Sequence, residues 1–122
     1  MIKLDELNVY KSAIEIAHEV WDCVNKWSYF EKDTLGKQLT RAADSIVLNI
    51  SEGYGRFSFK ENKMFCYYAR GSAYETMTAL KLAHDRKLIS DKALTIFKQK
   101  FEHFLRLLNA YIKSIGVSKV ED

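Results

Sequence analysis

Apolar residues return at steps of three and four along most of this chain, the spacing of one face of an α-helix. In residues 8–28, Val9, Ala13, Ile16, Ala17, Val20 and Val24 form such a face, with Glu15, Glu19 and Asp22 elsewhere around the helix. A short polar turn, residues 29–33, separates it from a second helix over 34–51, where Leu35, Leu39, Ala42, Ala43, Ile46 and Ile50 share a face. That helix is predicted to end at Gly53-Tyr54-Gly55, whose glycines tolerate a backbone reversal. A third, over 59–86, opens on Ser58-Phe59-Lys60-Glu61, which has capping-box spacing. There the serine hydroxyl can accept from the N–H of Glu61 while the glutamate reaches back to the N–H of Ser58. Ser90 and Asp91 open a fourth, over 91–114, with Leu94, Phe97, Phe101, Leu105, Leu108, Ile112 and Ile115 in one stripe. The tail, residues 116–122, is expected to fray.

Four amphipathic helices joined by short turns pack most simply up-down-up-down, because short loops make neighbours antiparallel. The predicted fold is therefore an all-α antiparallel four-helix bundle, with residues 1–122 as one domain. A globin-like or helix-turn-helix arrangement competes, but the helices are too long and too similar in length for it. The chain of 122 residues has no proline to interrupt a helix and is long enough to bury a core without staples. No apolar run approaches the roughly 20 residues that span a bilayer, and the opening residues lack the uninterrupted apolar block of a secretory signal. A cytoplasmic protein without a membrane partner is expected.

The third helix is more apolar than a small monomeric bundle requires. Phe65, Ala69, Ala73, Leu80 and Ala83 form a core stripe, while Met64, Tyr67, Gly71, Tyr74 and Leu82 lie across the helix from it. Tyr68 and Ala79 fill the arc between. A second apolar face points to a homo-oligomer, with Met64, Tyr67, Gly71 and Tyr74 as interface candidates; the alternative is surface tyrosines with wet hydroxyls. Glu75 lies within this broad face, and a buried carboxylate needs partners. Arg41, Ser45, Asn49 and Glu52 flank the apolar face of the second helix, with Arg56 just beyond, so a polar network of Arg41, Ser45, Asn49, Glu52 and Glu75 is expected inside the bundle or at a subunit contact.

Charge is unevenly distributed about a net of +3. Residues 1–36 carry four basic and seven acidic side chains, residues 37–70 six and three, and residues 81–106 seven and three. This is the pattern of a molecule with one polyanion-facing side, or of ordinary solvated helix faces. Cys23 and Cys66 are far apart with no CxxC spacing, which reads as two small apolar residues. His18, His84 and His103 fall on three different helices with no HxxxH or ExxH pairing. P-loop, GxSxG and HExxH signatures are absent. The expectation is no catalysis, no metal and no cofactor.

The stretch from Arg41 to Arg56, RAADSIVLNISEGYGR, resembles the signature R-x-x-x-S-I-x-x-N-I-x-E-G-x-G-R of a known family. Phe65 to Glu75, FCYYARGSAYE, is similar to that family's F-x-x-x-A-x-G-S-x-x-E, and Leu7 to Ala13 to its L-x-V-[WY]-x-x-A. The family comprises the four-helix bundle proteins encoded by intervening sequences in bacterial 23S ribosomal RNA genes. They are also called S23 ribosomal proteins and are similar to the accessory variability protein of diversity-generating retroelements. Val47 stands where members often have proline and Ser51 where they often have alanine; Val47 removes a possible kink in the second helix but touches no inferred charge. The resemblance covers roughly residues 4–115. It implies a bundle that assembles as a ring, typically a pentamer, with an electropositive surface toward RNA or an RNA–protein complex and no enzymatic activity. On that reading Lys37, Arg41, Arg56, Lys60, Lys63 and Arg70 neutralise phosphates, with stacking from Tyr54, Phe57 or Phe59. The alternative is a scaffold whose basic face reads an acidic protein.

Overall fold

In a computed structural model describing residues 2–117, four long helices carry the fold: α1 (Asn8–Val24), α2 (Lys37–Tyr54), α3 (Phe59–Asp85) and α4 (Asp91–Ser114). The α1 face predicted from the sequence is buried in full, as is that of α2. Helix α1 packs on α2, α2 on α3, α3 on α4, and α4 closes back on α1. Every junction is antiparallel. Ser45 of α2 meets Ser72 of α3 while Gly53 meets Asn62, and Arg70 of α3 meets Asn109 of α4 while Asn62 meets Tyr111. The up-down-up-down four-helix bundle is thus the observed fold, with Phe101, Phe104, Ile16, Leu39, Ile46 and Leu108 among the fully buried side chains at its centre.

Several helix ends differ from the expectation. Helix α1 stops at Val24 rather than 28, and the chain turns so that Trp27 folds into the core. The predicted polar turn at 29–33 is instead helical. Ser28 and Glu31 form a complete capping box, with the Ser28 N–H donating to Glu31 Oε1 at 2.9 Å and the Glu31 N–H to Ser28 Oγ at 3.3 Å. The helical turn Tyr29–Glu31 then runs through a π-helical turn, Lys32–Gly36, into α2. At Ser58 only half of the capping box forms. The Glu61 N–H donates to Ser58 Oγ at 3.1 Å, but the Glu61 carboxylate accepts from the Ser58 hydroxyl, not from its N–H.

Helix α2 continues to Tyr54, and Gly55 has φ −81°, which any residue adopts. The glycine that matters is Gly53, buried against Asn62 and Phe65 of α3. Its requirement is close approach, not reversal. Helix α3 ends in a Schellman motif: the Leu88 N–H donates to the Ala83 carbonyl at 2.8 Å and the Lys87 N–H to the His84 carbonyl at 2.9 Å. Lys87 holds the left-handed position at φ 66°. The tail expected to fray falls mostly at 118–122, outside the described residues. No described helix is long and apolar enough to cross a membrane.

Candidate interaction surfaces

Both motif blocks meet along the α2–α3 contact. Ser72 donates to Ser45 Oγ at 3.0 Å, and Asn49 Nδ2 donates to Ser45 Oγ at 2.9 Å and to the Ser45 carbonyl at 2.8 Å. About two helical turns along, Arg56 clamps the α2–α3 turn. It pairs with Glu52 at 2.9 Å and Glu61 at 3.5 Å, and its guanidinium lies 4.8 Å from the centre of the Phe65 ring. The expected network is therefore two separate groups, Ser45–Asn49–Ser72 and Glu52–Arg56–Glu61. Arg41 and Glu75 join neither: both are exposed and make no hydrogen bond or ion pair among the described residues. They stand at one level of the bundle, Arg41 four residues before Ser45 and Glu75 three after Ser72, on antiparallel neighbours.

The core side of α3 is lined by Cys66, Ala69, Ala73, Thr76, Ala79, Leu80 and Ala83. Phe65, placed in the core stripe from the sequence, is only partly buried, and Cys66 takes that place. Thr76 is fully buried because its hydroxyl donates to the Ser72 carbonyl at 2.7 Å, leaving its methyl to the core. The broad outer face divides in two. Met64, Tyr68, Gly71, Glu75 and Leu82 recur at helical spacing on the side toward α2, whereas Leu48 of α2, 66% exposed, lines the groove with α1 beside Ile14, Ala17, His18 and Trp21. Tyr67 and Tyr74, 48% and 56% exposed, lie on the side toward α4. The four interface candidates thus fall on two surfaces: Met64 and Gly71 on one, Tyr67 and Tyr74 on the other.

Nor do the six nominated cations form one patch. Lys37 sits at the start of α2, paired with Asp33 at 3.2 Å. Arg56 lies about 28 Å away along the same helix axis, and its two carboxylates neutralise it. Lys60 and Lys63 are in the first turns of α3, and Arg41 lines a cleft against α1 with Lys37 while standing one turn before Ser45 on the side toward α3. Arg70 reaches α4, donating to Asn109 Oδ1 at 3.0 Å while its guanidinium lies 5.0 Å from the centre of the Tyr67 ring. The stacking candidates Phe57 and Phe59 are exposed, whereas Tyr54 donates to the Ile2 carbonyl at 2.6 Å. Sequence reasoning nominated no basic residue on α4. Lys98, Arg106 and Lys113 lie there at helical spacing with Glu102 and Asn109, a polar stripe offset from the apolar one and readable by the same periodicity.

Burial pushes the Cys66 thiol up to about 11, and raises that of half-buried Cys23. Among the described residues no three His, Cys, Asp or Glu side chains cluster for a metal. His84 Nε2 contacts Asp91 Oδ1 at 2.5 Å, tying the end of α3 to the start of α4. Lys100 on α4 bridges Glu15 at 2.6 Å and Glu19 at 2.7 Å on α1. Its hydrogen bond holds the Glu15 carboxyl below the usual carboxylate range, and the same contact raises the Lys100 ammonium.

Helix order, antiparallel packing and the motif residues gathered on α2–α3 define one class, the all-α bundles built from four sequential helices. Within it, the chain belongs to the 23S rRNA-intervening sequence protein family, whose model matches residues 5–110. A solved 1.70 Å crystal structure, of a protein with unknown function from the S23 ribosomal protein family of Bacteroides thetaiotaomicron VPI-5482, is similar with a TM-score of 0.80. The two are 22% identical over 87% of this chain and 96% of that one, a likeness of fold. No curated protein matches the chain.

Proposed function

We propose that this chain is a non-catalytic bundle that assembles with copies of itself and binds RNA, or an RNA–protein complex, through basic side chains. The observation that carries the assembly is the outer α2–α3 face. There Met64, Tyr68 and Leu82 expose apolar surface around an arginine and a glutamate that have no partner among the described residues. A second copy supplies both missing partners and covers the apolar surface, which is the composition of an interface core with internal charge pairs. Gly71, bare of a side chain on that face, lets another helix approach closely.

A charge-swap series tests it. Arg41→Glu and Glu75→Arg each shift the assembly toward monomer by light scattering, and the double swap restores it. Unchanged mass in both single variants refutes the assignment of this face.

The RNA half rests on the cations without ion-pair partners and on the family's relation to ribosomal RNA genes. Filter binding across a salt series measures it: affinity falls linearly with log salt in proportion to the phosphates neutralised. A partner retained in pull-downs after nuclease treatment, with no salt-dependent RNA binding by the purified chain, makes the protein a scaffold instead.

A further inference from the structure

The α3–α4 side of the bundle differs from every other. Lys63, Tyr67, Arg70, Tyr74 and Lys81 follow one another along α3 at steps of four, three, four and seven, a single stripe. Facing it on α4, Lys98, Glu102, Arg106, Asn109 and Lys113 run at steps of four, four, three and four. The two stripes are stitched together where Arg70 donates to Asn109. The result is a band about 27 Å long in which cations alternate with half-exposed tyrosine rings. Its carboxylates are Glu102, which makes no ion pair among the described residues, and Asp85, which holds Lys81 at 2.9 Å. Lys98 and Arg106 make no ion pair among the described residues.

At one end of this band the helices part to leave a cleft of about 290 Å³. Leu80, Phe97 and Phe101 form its floor, and Tyr74, Lys81 and Lys98 stand at its mouth. The space is mostly apolar and is lined by two lysines. An unstacked nucleobase has the matching chemistry: an apolar face for the floor and Tyr74, and a flanking phosphate within reach of Lys98. A duplex does not, because its bases are stacked and paired. Cations interleaved with aromatic rings are how single strands are held without sequence readout.

We infer that the α3–α4 face is a single-stranded nucleic-acid track, with the cleft between Tyr74 and Phe97 receiving one splayed base and Lys98, Arg106 and Arg70 taking the backbone phosphates. This rests on the RNA reading above but is separable from it. It also gives the two tyrosines nominated for self-association a different duty from Met64 and Gly71.

The test is fluorescence anisotropy with a labelled twenty-nucleotide single-stranded RNA, the same sequence as DNA, and an RNA duplex. The expected result is that at least one single strand binds more tightly than the duplex. Tyr74→Ala weakens single-strand binding about tenfold, Tyr74→Phe retains it, and Lys98→Ala lowers the salt slope by about 0.7. Lys11→Ala on α1 changes neither. Circular dichroism and light scattering on each variant establish that fold and assembly are intact. Binding by the wild type that is indifferent to Tyr74→Ala and Lys98→Ala overturns this track while leaving the RNA reading standing, as does a duplex that binds as well as the single strand. No binding of any of the three probes by the wild type overturns both.

Discussion

Replacing Gly53 by alanine sets two effects of known size against each other. In a helix interior alanine is favoured over glycine by about 1 kcal/mol. The new methyl, however, would stand 2.8 Å from Asn62 Oδ1, 2.9 Å from Phe65 Cβ and 3.0 Å from the Asn62 carbonyl oxygen. An amide can rotate away, but Cβ and the carbonyl belong to the frame of α3, so the helices must separate. Overpacking of this kind costs about 1–3 kcal/mol. The clash wins, and the net expectation is a loss of about 1 kcal/mol, near 4 °C in Tm for a domain of this size. Gly55 is the control two residues on. A Cβ there meets nothing nearer than 3.7 Å and φ is ordinary, so Gly55→Ala should stabilise by about 0.5 kcal/mol through the unfolded chain. Urea unfolding of both variants at one fixed protein concentration reads the two signs. If Gly53→Ala stabilises as Gly55→Ala does, the close approach of α2 and α3 is wrong.

Lys87 occupies a left-handed position that costs a non-glycine residue about 1 kcal/mol, so Lys87→Gly should raise stability by about 0.5–1 kcal/mol; thermal unfolding checks it. With its thiol raised to about 11 and its side chain fully buried, Cys66 should resist a disulfide reagent at neutral pH until the protein unfolds, while half-buried Cys23 reacts first; equal rates in the native protein would contradict the packing. The Lys100 bridge makes stability depend on pH at both extremes. Glu15 has a lowered folded pKa, so its contribution is complete above the usual carboxylate range and is lost as pH falls through the folded value. Lys100 has a raised one, so its contribution is complete below the usual lysine range and is lost as pH rises through the folded value. Solvent screening keeps the effect under about 1 kcal/mol; Lys100→Met should flatten both limbs of the stability–pH curve, and an unchanged curve would mean that the bridge contributes nothing.

The apolar stripes of α1 and α2, and most of that of α4, were legible because one strong period decides them, and Val9, Ile16, Leu39, Ile46, Phe101 and Leu108 lie where it puts them; on α4 Phe104 is fully buried where Leu105 was expected, and Leu94 and Leu105 are only partly buried. Helix α3 was harder for a physical reason: it is apolar nearly all round, so periodicity alone does not orient it. The wheel was off by one position, Phe65 for Cys66, and Thr76 hid in the core because its type is polar while its hydroxyl is satisfied within its own helix. The Ser28-Tyr29-Phe30-Glu31 capping box was readable from its spacing and was passed over for a polar turn. The motif residues were found, but their roles were not. Ser45, Asn49, Ser72 and Gly53 join two helices within the chain, whereas Arg41 and Glu75 face outward, a distinction that depends on tertiary placement. The α4 cations were counted as charge but not set against the α3 tyrosines, because which helices are neighbours is known only once the bundle is assembled.

The central claim is that the outer α2–α3 face is covered by another copy of this chain. Light scattering of the purified wild-type protein across a hundredfold concentration range tests it most directly. A mass several times that of one chain, five times for a pentamer, and persisting on dilution is the result this account predicts; the mass of a single chain at every concentration would contradict it.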